Sequence, residues 1–209
     1  MLTLACPTCG AELKFANRSS LVAVCAACGG AAMRKDINLE TLGRVGDLLD
    51  DGTTLALGAS GTYKGRPFAV IGRLQIAYAS GFWNDWYLQF ERGEPGWMSE
   101  SMGFYAILRE VRVRGSVPPR ANLRLGERLT IAGASYWIRS FLQGTCVSAE
   151  GELPMPPPVG ETGRYVDLLG EGGGCAAINY FGDQTEVYAG SFEAFEDLRL
   201  DGLRRPPGW

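Results

Sequence analysis

Histidine is absent from this chain of 209 residues. Its absence excludes Ser-His-Asp triads, Cys-His dyads, imidazole metal ligands and histidine acid–base catalysis. Carboxylate chemistry remains, with Asp85, Glu100, Glu150 and Glu152 as the candidates. A carboxylate pair beside tryptophan could serve as acid and base, whereas on the polar face of a strand Asp85 and Glu100 would bond to backbone groups or to Arg73. We expect the second, structural arrangement.

Long hydrophobic runs are also missing. The longest weakly polar run, residues 21–33, is interrupted by two cysteines and a glycine pair and is shorter than the roughly 20 residues of a membrane-spanning helix. The N-terminus lacks the basic segment and apolar core of a signal peptide. We therefore expect no membrane span and a cytoplasmic location, where six cysteines favour metal ligands or buried thiols over disulfides.

Four of the cysteines form two Cys-x-x-Cys pairs, Cys6 with Cys9 and Cys25 with Cys28, separated by 15 residues. This spacing is typical of a structural site in which four thiolates surround one Zn(II) and leave no open position for catalysis. The glycine after each pair permits a left-handed backbone. We predict a zinc ribbon over residues 1–35, with short strands at 13–15 and 21–24 joined by the turn 17–20. A redox Cys-x-x-Cys is the alternative, but the βαβ pattern typical of it is missing.

Short antiparallel strands are predicted for the rest of the chain, because 29 glycines and 11 prolines favour many turns. The most regular stretch runs from Trp83 to Phe90. Its residues alternate with a period of two, which indicates a strand with two distinct faces. One face carries Trp86, Leu88 and Phe90, and the other carries Asp85, Tyr87 and Gln89. We expect this stretch to be the central strand of a β domain.

An internal duplication is visible in the spacing of glycine and apolar residues. Leu57-Gly58, Gly65, Phe68 and Val70 recur 68 positions later as Leu125-Gly126, Gly133, Tyr136 and Ile138. Leu88, Gly93 and Met98 recur 80 positions later as Leu168, Gly173 and Ile178, so the second copy contains an insertion, which we place at the proline-rich segment 150–160. We predict two related antiparallel β modules, residues 55–115 and 123–200, forming either small barrels or one sandwich. A connector with one or two helical turns (36–54) precedes them, and a tail (201–209) follows.

The same region resembles a known family. The pattern consists of Gly65, Phe68, Val70, Gly72-Arg73, Trp83, Asp85-Trp86, Trp97, Glu100, Gly103 and Glu150-Gly151-Glu152-Leu153-Pro154. Over residues 55–200 it is similar to the bacterial domain-of-unknown-function family numbered 4178, whose members often carry an N-terminal Cys-x-x-Cys ribbon. The family tends to have an acidic residue before the second tryptophan, and this chain has Asp85 there, after Asn84. The resemblance implies the architecture and carries no activity.

Charge is distributed unevenly along the chain. Six arginines lie between residues 109 and 128 with only two acids, whereas residues 150–201 hold 11 acids and two arginines. These patches favour contact within the protein or across a homo-oligomer. A nucleic-acid surface is not expected, because four thiolates on Zn(II) reverse the small positive excess of the ribbon.

We therefore expect a non-catalytic adaptor that binds a protein partner in a bacterial assembly. The candidate binding residues are Trp83, Asp85, Trp86, Trp97, Glu100, Glu150, Glu152 and Pro154. The proline-rich insertion is a candidate partner-binding edge, because a preformed extended segment loses little entropy on capture. A carboxylate-based hydrolase, in which Asp85 or Glu100 meets Glu150 or Glu152, is one alternative. A zinc-ribbon nucleic-acid binder is the other.

Overall fold

The computed structural model describes residues 2–17, 19–35, 38–113 and 116–205. This part of the chain contains strands and short 3-10 turns and no α-helix, so none of its helices could cross a membrane. The N-terminal strands are β1 (Leu2–Ala5), β2 (Glu12–Phe15), β3 (Val22–Val24), β4 (Gly30–Lys35) and β5 (Asn38–Arg44). The first copy forms β6 (Ser60–Tyr63), β7 (Arg66–Tyr78), β8 (Gly81–Phe90), β9 (Pro95–Ser101) and β10 (Phe104–Glu110). The second copy forms β11 (Arg128–Ile131), β12 (Ala134–Leu153), β13 (Thr162–Gly170), β14 (Gly174–Phe181) and β15 (Gln184–Glu193).

The two copies have the same order of elements, which confirms the predicted duplication. In each, a short strand pairs with the start of a long strand, a second long strand follows, and a 3-10 turn leads into a final hairpin. Both long first strands carry a bulge at the equivalent place, after Val70 and after Ile138. The predicted core pairs agree as well, since Phe68 and Tyr136 are both buried, as are Val70 and Ile138.

Eight strands, four from each copy, close into one ring in the order β7-β8-β9-β10-β15-β14-β13-β12, with β12 pairing back onto β7. We call this closed sheet the strand ring. All its pairings are antiparallel. The mainly β class with two related antiparallel modules is therefore confirmed, and the structure adds that the two modules share one closed sheet. This closure is possible because β7 and β12 are long. The first part of each pairs with the short strand of its own copy, β6 or β11, and the later parts of β7 and β12 pair with each other.

Two seams join the copies within the strand ring, β7 with β12 and β10 with β15. At the first seam Ala77 faces Thr145, and at the second Arg109 faces Ala189. In each pair the two residues occupy equivalent positions in the two copies. The two copies therefore meet in the way that the subunits of a symmetric dimer meet.

Close backbone approach at both seams requires glycine. A Cβ atom added to Gly190 would lie 1.8 Å from the Ile107 carbonyl oxygen, and one added to Gly72 would lie 1.9 Å from the Glu152 carbonyl oxygen. Because no side chain tolerates such distances, these two glycines permit the packing of backbone against backbone where the copies meet.

The N-terminal segment is joined to the strand ring through β3. Val22 pairs with Leu153 and Ala23 with Glu152, at the end of β12. The sheet then continues through β4 to β5, while β1 and β2 form a separate hairpin. The strands predicted at 13–15 and 21–24 exist, but they do not pair with each other. Arg18, in the turn predicted between them, lies outside the described residues.

The helical turns predicted for the connector are not formed. Residues 38–44 are strand β5, because the free edge of β4 offers backbone partners and Gly43, with φ of +102°, disfavours a helix. The chain then runs along the strand ring and buries Leu55 completely. In the predicted tail, Asp201 bridges to Ser60. Residues 36, 37 and 206–209 lie outside the described part.

Candidate metal centre and interior cavity

The four predicted metal ligands, Cys6, Cys9, Cys25 and Cys28, come together at one end of the molecule, with all sulfur atoms within 4.8 Å of one another. The two knuckles have the same local structure. The amide of Gly10 donates to the carbonyl of Cys6 at 2.9 Å, and that of Gly29 donates to Cys25 at 2.8 Å. Both glycines have positive φ, as their positions after the cysteine pairs predicted.

The sulfur positions fit a tetrahedral metal ion. The Sγ atoms of Cys6 and Cys28 are 3.8 Å apart and those of Cys9 and Cys25 are 3.6 Å apart. A tetrahedron with metal–sulfur bonds of about 2.3 Å has edges of about 3.8 Å. All four thiols are free of disulfides. The cluster can therefore hold one metal ion without rearrangement of the backbone.

A second candidate site is the interior of the strand ring, which encloses a cavity of about 700 Å³. Each of the eight strands contributes to its wall, because residues alternate between the inside and the outside of the sheet. The lining residues, one from each strand in ring order, include Leu74, Asp85, Ser99, Ala106, Glu186, Asn179, Asp167 and Leu142. We call this space the interior cavity.

Aromatic side chains form one side of the interior cavity. Tyr78, Trp83, Tyr165 and Phe181 follow one another as a chain of ring contacts, with centroid distances of 5.6, 4.9 and 5.7 Å. The last two contacts are edge-to-face, at 87° and 90°. Trp97 also lines the cavity and packs on Tyr87 at 5.0 Å. We call the first four residues the aromatic wall.

Two aspartates project into this apolar space, one from each copy. Asp85 is surrounded by protein, with part of its surface open to the interior cavity, and accepts a hydrogen bond from Trp83 Nε1 at 3.1 Å. Burial raises its pKa to about 6, and the charge of Asp167 adds to the effect. Asp167 accepts a hydrogen bond from Ser140 Oγ at 2.5 Å, and burial raises its pKa as well. Both carboxyl groups therefore hold their protons more tightly than exposed ones.

The two remaining cysteines are buried in this region and are not nucleophiles. Burial raises the pKa of Cys146 and that of Cys175 to about 12. Their thiols stay protonated at neutral pH, as expected for small buried side chains.

On the opposite face of β8 and β9 lies a buried polar network. Arg73 is 1% exposed, contacts Asp51 at 2.6 Å and Asn84 at 2.7 and 2.9 Å, and lies 4.7 Å above the ring of Trp86. Asn84 donates onward to Glu100 at 3.1 Å, and Trp86 Nε1 donates to the same carboxylate at 2.8 Å. Trp86 and Glu100, two of the candidate binding residues, are therefore internal. Their polar groups are occupied by one another and by their neighbours.

The two glutamates before the proline-rich segment are also engaged inside the protein. Glu150 lies 3.4 Å from Arg73. Glu152 accepts hydrogen bonds from the backbone amides of Ala16 and Asn17, at 2.8 and 3.2 Å, and so fixes the end of β2 to the strand ring. Pro154 is half-buried beside them. The following residues, Met155 to Pro158, line the interior cavity.

The carboxylates proposed for hydrolysis do not converge. Asp85 faces the interior cavity, Glu100 lies on the other face of the sheet, and Glu152 holds the N-terminal segment. Glu150 and Glu100 are linked indirectly, for example through Arg73 and Asn84. The acidic residue whose charge acts on Asp85 is Asp167, which the sequence pattern did not single out. The sequence feature that could have identified Asp167 is its position as a lone carboxylate within the apolar stretch 165–169.

Comparisons with known proteins agree with this architecture. Residues 56–193 match the family described as a domain of unknown function, DUF4178. No curated protein and no solved structure matches the chain. The matched segment begins before β6 and ends with β15, so it contains both copies and the whole strand ring. The chain therefore belongs to the DUF4178 family and carries a four-cysteine cluster on the N-terminal side of the family domain.

Proposed function

We propose that this protein is a non-catalytic binding protein that holds a small molecule inside its strand ring. The observation that supports this proposal is the interior cavity of about 700 Å³, to which all eight strands contribute. Ligand pockets in proteins typically measure about 300–1,000 Å³ and combine an apolar wall with a few polar groups. The aromatic wall and the two aspartates provide this combination.

The strand ring is suited to this role because each copy also has a hydrophobic core outside the interior cavity. Outside the interior cavity, the first copy packs a core around Trp86, and the second packs a core around Ile138. A vacant interior therefore does not leave either copy without a hydrophobic core, although wall residues such as Trp83 and Tyr165 also belong to a third buried cluster.

Occupation of the interior cavity can be tested with N-phenyl-1-naphthylamine, an uncharged dye whose fluorescence rises in apolar surroundings. Ala177→Trp places an indole inside the cavity, whereas Thr185→Trp adds the same group at an exposed position near the end of β15. We expect Ala177→Trp to weaken dye binding about tenfold or more, because the indole occupies the same space. Thr185→Trp should bind as wild type does. Equal binding by all three proteins would refute the cavity as the site.

For the four-cysteine cluster we propose structural Zn(II) and a ribbon fold, in a protein of the bacterial cytoplasm. Four thiolates in tetrahedral arrangement are the ligand set that structural zinc prefers, and reduced cysteines persist in that compartment. Bound zinc would fix the two knuckles, and β3 would transmit this rigidity to β12. Elemental analysis of protein purified under reducing conditions should give one zinc per chain, and its absence would refute the proposal.

A protein adaptor is the second candidate function, and strand β5 favours it. β5 ends the large sheet, pairs only with β4 on that path, and is exposed at every residue except Leu39. An open edge can accept an extended segment of a partner by strand addition. A photo-crosslinking residue at Leu42 should then form adducts in cells, whereas one at the exposed Leu125 should not. Equal labelling at both positions would contradict a role for this edge.

A further inference from the structure

We propose that the interior cavity binds an organic cation, an ammonium group on an apolar or aromatic body, with Asp85 and Asp167 as its carboxylate partners. This inference rests on the proposed function and names the class of ligand. It follows from three properties of the interior cavity: the composition of its wall, the sign of its charge, and the lack of cationic partners for that charge among the described residues.

The wall suits a cation with an apolar body. The four rings of the aromatic wall present faces and edges to the same space. Aromatic faces attract ammonium groups, and the attraction grows when water is excluded. The aliphatic side chains Leu74, Ile76 and Leu142 complete this part of the lining and offer an apolar surface for the rest of the ligand.

The charge of the lining is predominantly negative. The carboxyl groups that line the interior cavity belong to Asp85, Asp167 and Glu186, which are partly buried, and to Glu161, which is exposed. The only basic side chain among the described lining residues is Arg139, which is exposed at the bulge of β12. An anionic ligand would therefore meet repulsion inside, and a cation would meet attraction.

These carboxyl groups lack cationic partners within the described part of the chain. The donors to Asp85 are Trp83 and Ser99, the donor to Asp167 is Ser140, and Tyr188 donates to Glu186 at 2.9 Å; all four donors are uncharged. Asp51, by contrast, is paired with Arg73, and the buried Glu100 accepts hydrogen bonds from three or more neutral donors. An enclosed carboxylate without a cation is costly, and a bound ammonium ion would relieve that cost.

The protonation states of the lining residues also favour a cationic ligand. The other ionisable groups near the aspartates are neutral at pH 7, because burial raises the pKa values of Tyr165, Tyr188, Cys146 and Cys175. The charge of the interior cavity therefore depends on its carboxyl groups and on Arg139. Since the pKa of Asp85 is about 6, cation affinity should fall as the pH drops through this value.

The test uses three probes of matched size: phenethylamine, 2-phenylethanol and 3-phenylpropionate, each titrated calorimetrically into the full chain at pH 7.5. We expect the amine to bind about tenfold or more tightly than the alcohol, and the acid to bind least. Asp85→Asn and Asp167→Asn should each weaken amine binding about tenfold while alcohol binding is unchanged. Asp183→Asn, at an exposed turn, is the matched control and should have no effect. In the wild type, amine affinity should fall between pH 7.5 and 5.

The outcomes separate the two proposals. If the alcohol binds as well as the amine, or if the aspartate variants bind the amine normally, the cation inference is overturned and the binding function stands. If none of the three probes binds and the dye also fails to bind, both proposals are refuted. If Asp85→Asn or Asp167→Asn does not fold, the pH profile of the wild type decides: an amine affinity that stays constant from pH 7.5 to 5 overturns the inference.

Discussion

Replacing Arg73 by methionine tests how much the buried polar network contributes to stability. The guanidinium group is 1% exposed and contacts Asp51, which is 9% exposed, at 2.6 Å. Removing one partner of a buried ion pair leaves the other charge uncompensated, which costs about 3–5 kcal/mol. In a chain of this size, each kcal/mol lowers the melting temperature by about 2–4 °C, so we expect a decrease of about 10 °C.

The chain offers a control matched in distance. Arg66 contacts Glu94 at the same 2.6 Å, but the two side chains are 40% and 45% exposed. Arg66→Met should therefore cost no more than about 1 kcal/mol. Thermal and urea unfolding of both variants measure the comparison. If Arg73→Met costs no more than Arg66→Met, burial is not what makes the network important.

The pH dependence tests the electrostatic cause. Burial acts to raise the pKa of Asp51, but the hydrogen bond from Asn84 and the charge of Arg73 outweigh burial and hold the pKa below its usual value. A depressed pKa stabilises the folded state above the unfolded value of 3.8, and this contribution is lost as the pH falls. In Arg73→Met the same carboxyl should take up a proton more readily, so the difference in unfolding free energy between wild type and variant should shrink from pH 7 to pH 4. A constant difference would contradict the electrostatic explanation.

Three further predictions concern other parts of the molecule. Cys9→Ser should lose the bound metal and speed hydrogen exchange in residues 1–35, measured by elemental analysis and mass spectrometry, whereas Cys175→Ser, inside the strand ring, should keep the metal. Asp85→Asn should be more stable to urea than the wild type at pH 7.5 and equally stable at pH 3.5, because a pKa raised from 3.8 to about 6 costs stability as the pH rises through that range; a deficit at pH 7.5 would contradict the cause. Gly190→Ala should destabilise by more than about 3 kcal/mol, since its Cβ would lie 1.8 Å from a backbone oxygen, whereas Gly182→Ala, with nothing within 4 Å, should cost only the roughly 1–2 kcal/mol of its left-handed backbone.

Local features of the fold were predictable from the sequence, because local chemistry determines them. The knuckles depend on cysteine spacing and on the conformational freedom of Gly10 and Gly29, and both sets of expectations agree with the structure. The strand at residues 83–90 follows from its period of two. The duplication follows from glycines such as Gly65 and Gly133, which recur at equivalent turns with positive φ.

Pairing between distant segments was not predictable in this way. The strand ring closes because β7 and β12 extend beyond their own hairpins and find each other, and periodicity within a strand does not specify its partner. Asp85 was expected on a polar face because its neighbours alternate. Both faces of β8 are instead enclosed, one by the core of the first copy and the other by the interior cavity. Arg73 was expected as a partner of Asp85 or Glu100, but it pairs with Asp51, which arrives from the connector and which only the structure shows.

The two seams have a consequence for how the chain acquires its structure. Both join segments about 70 to 80 residues apart in sequence, whereas strands β6 to β10 pair with immediate neighbours. Contacts distant in sequence form late and slowly. As the chain is synthesised, the first copy is complete before β12 exists, and its Trp83 and Leu74 remain uncovered until the second copy arrives to meet them. During that interval the growing chain presents an apolar surface with unpaired strand edges, and prompt completion of the second copy is what protects it from aggregation.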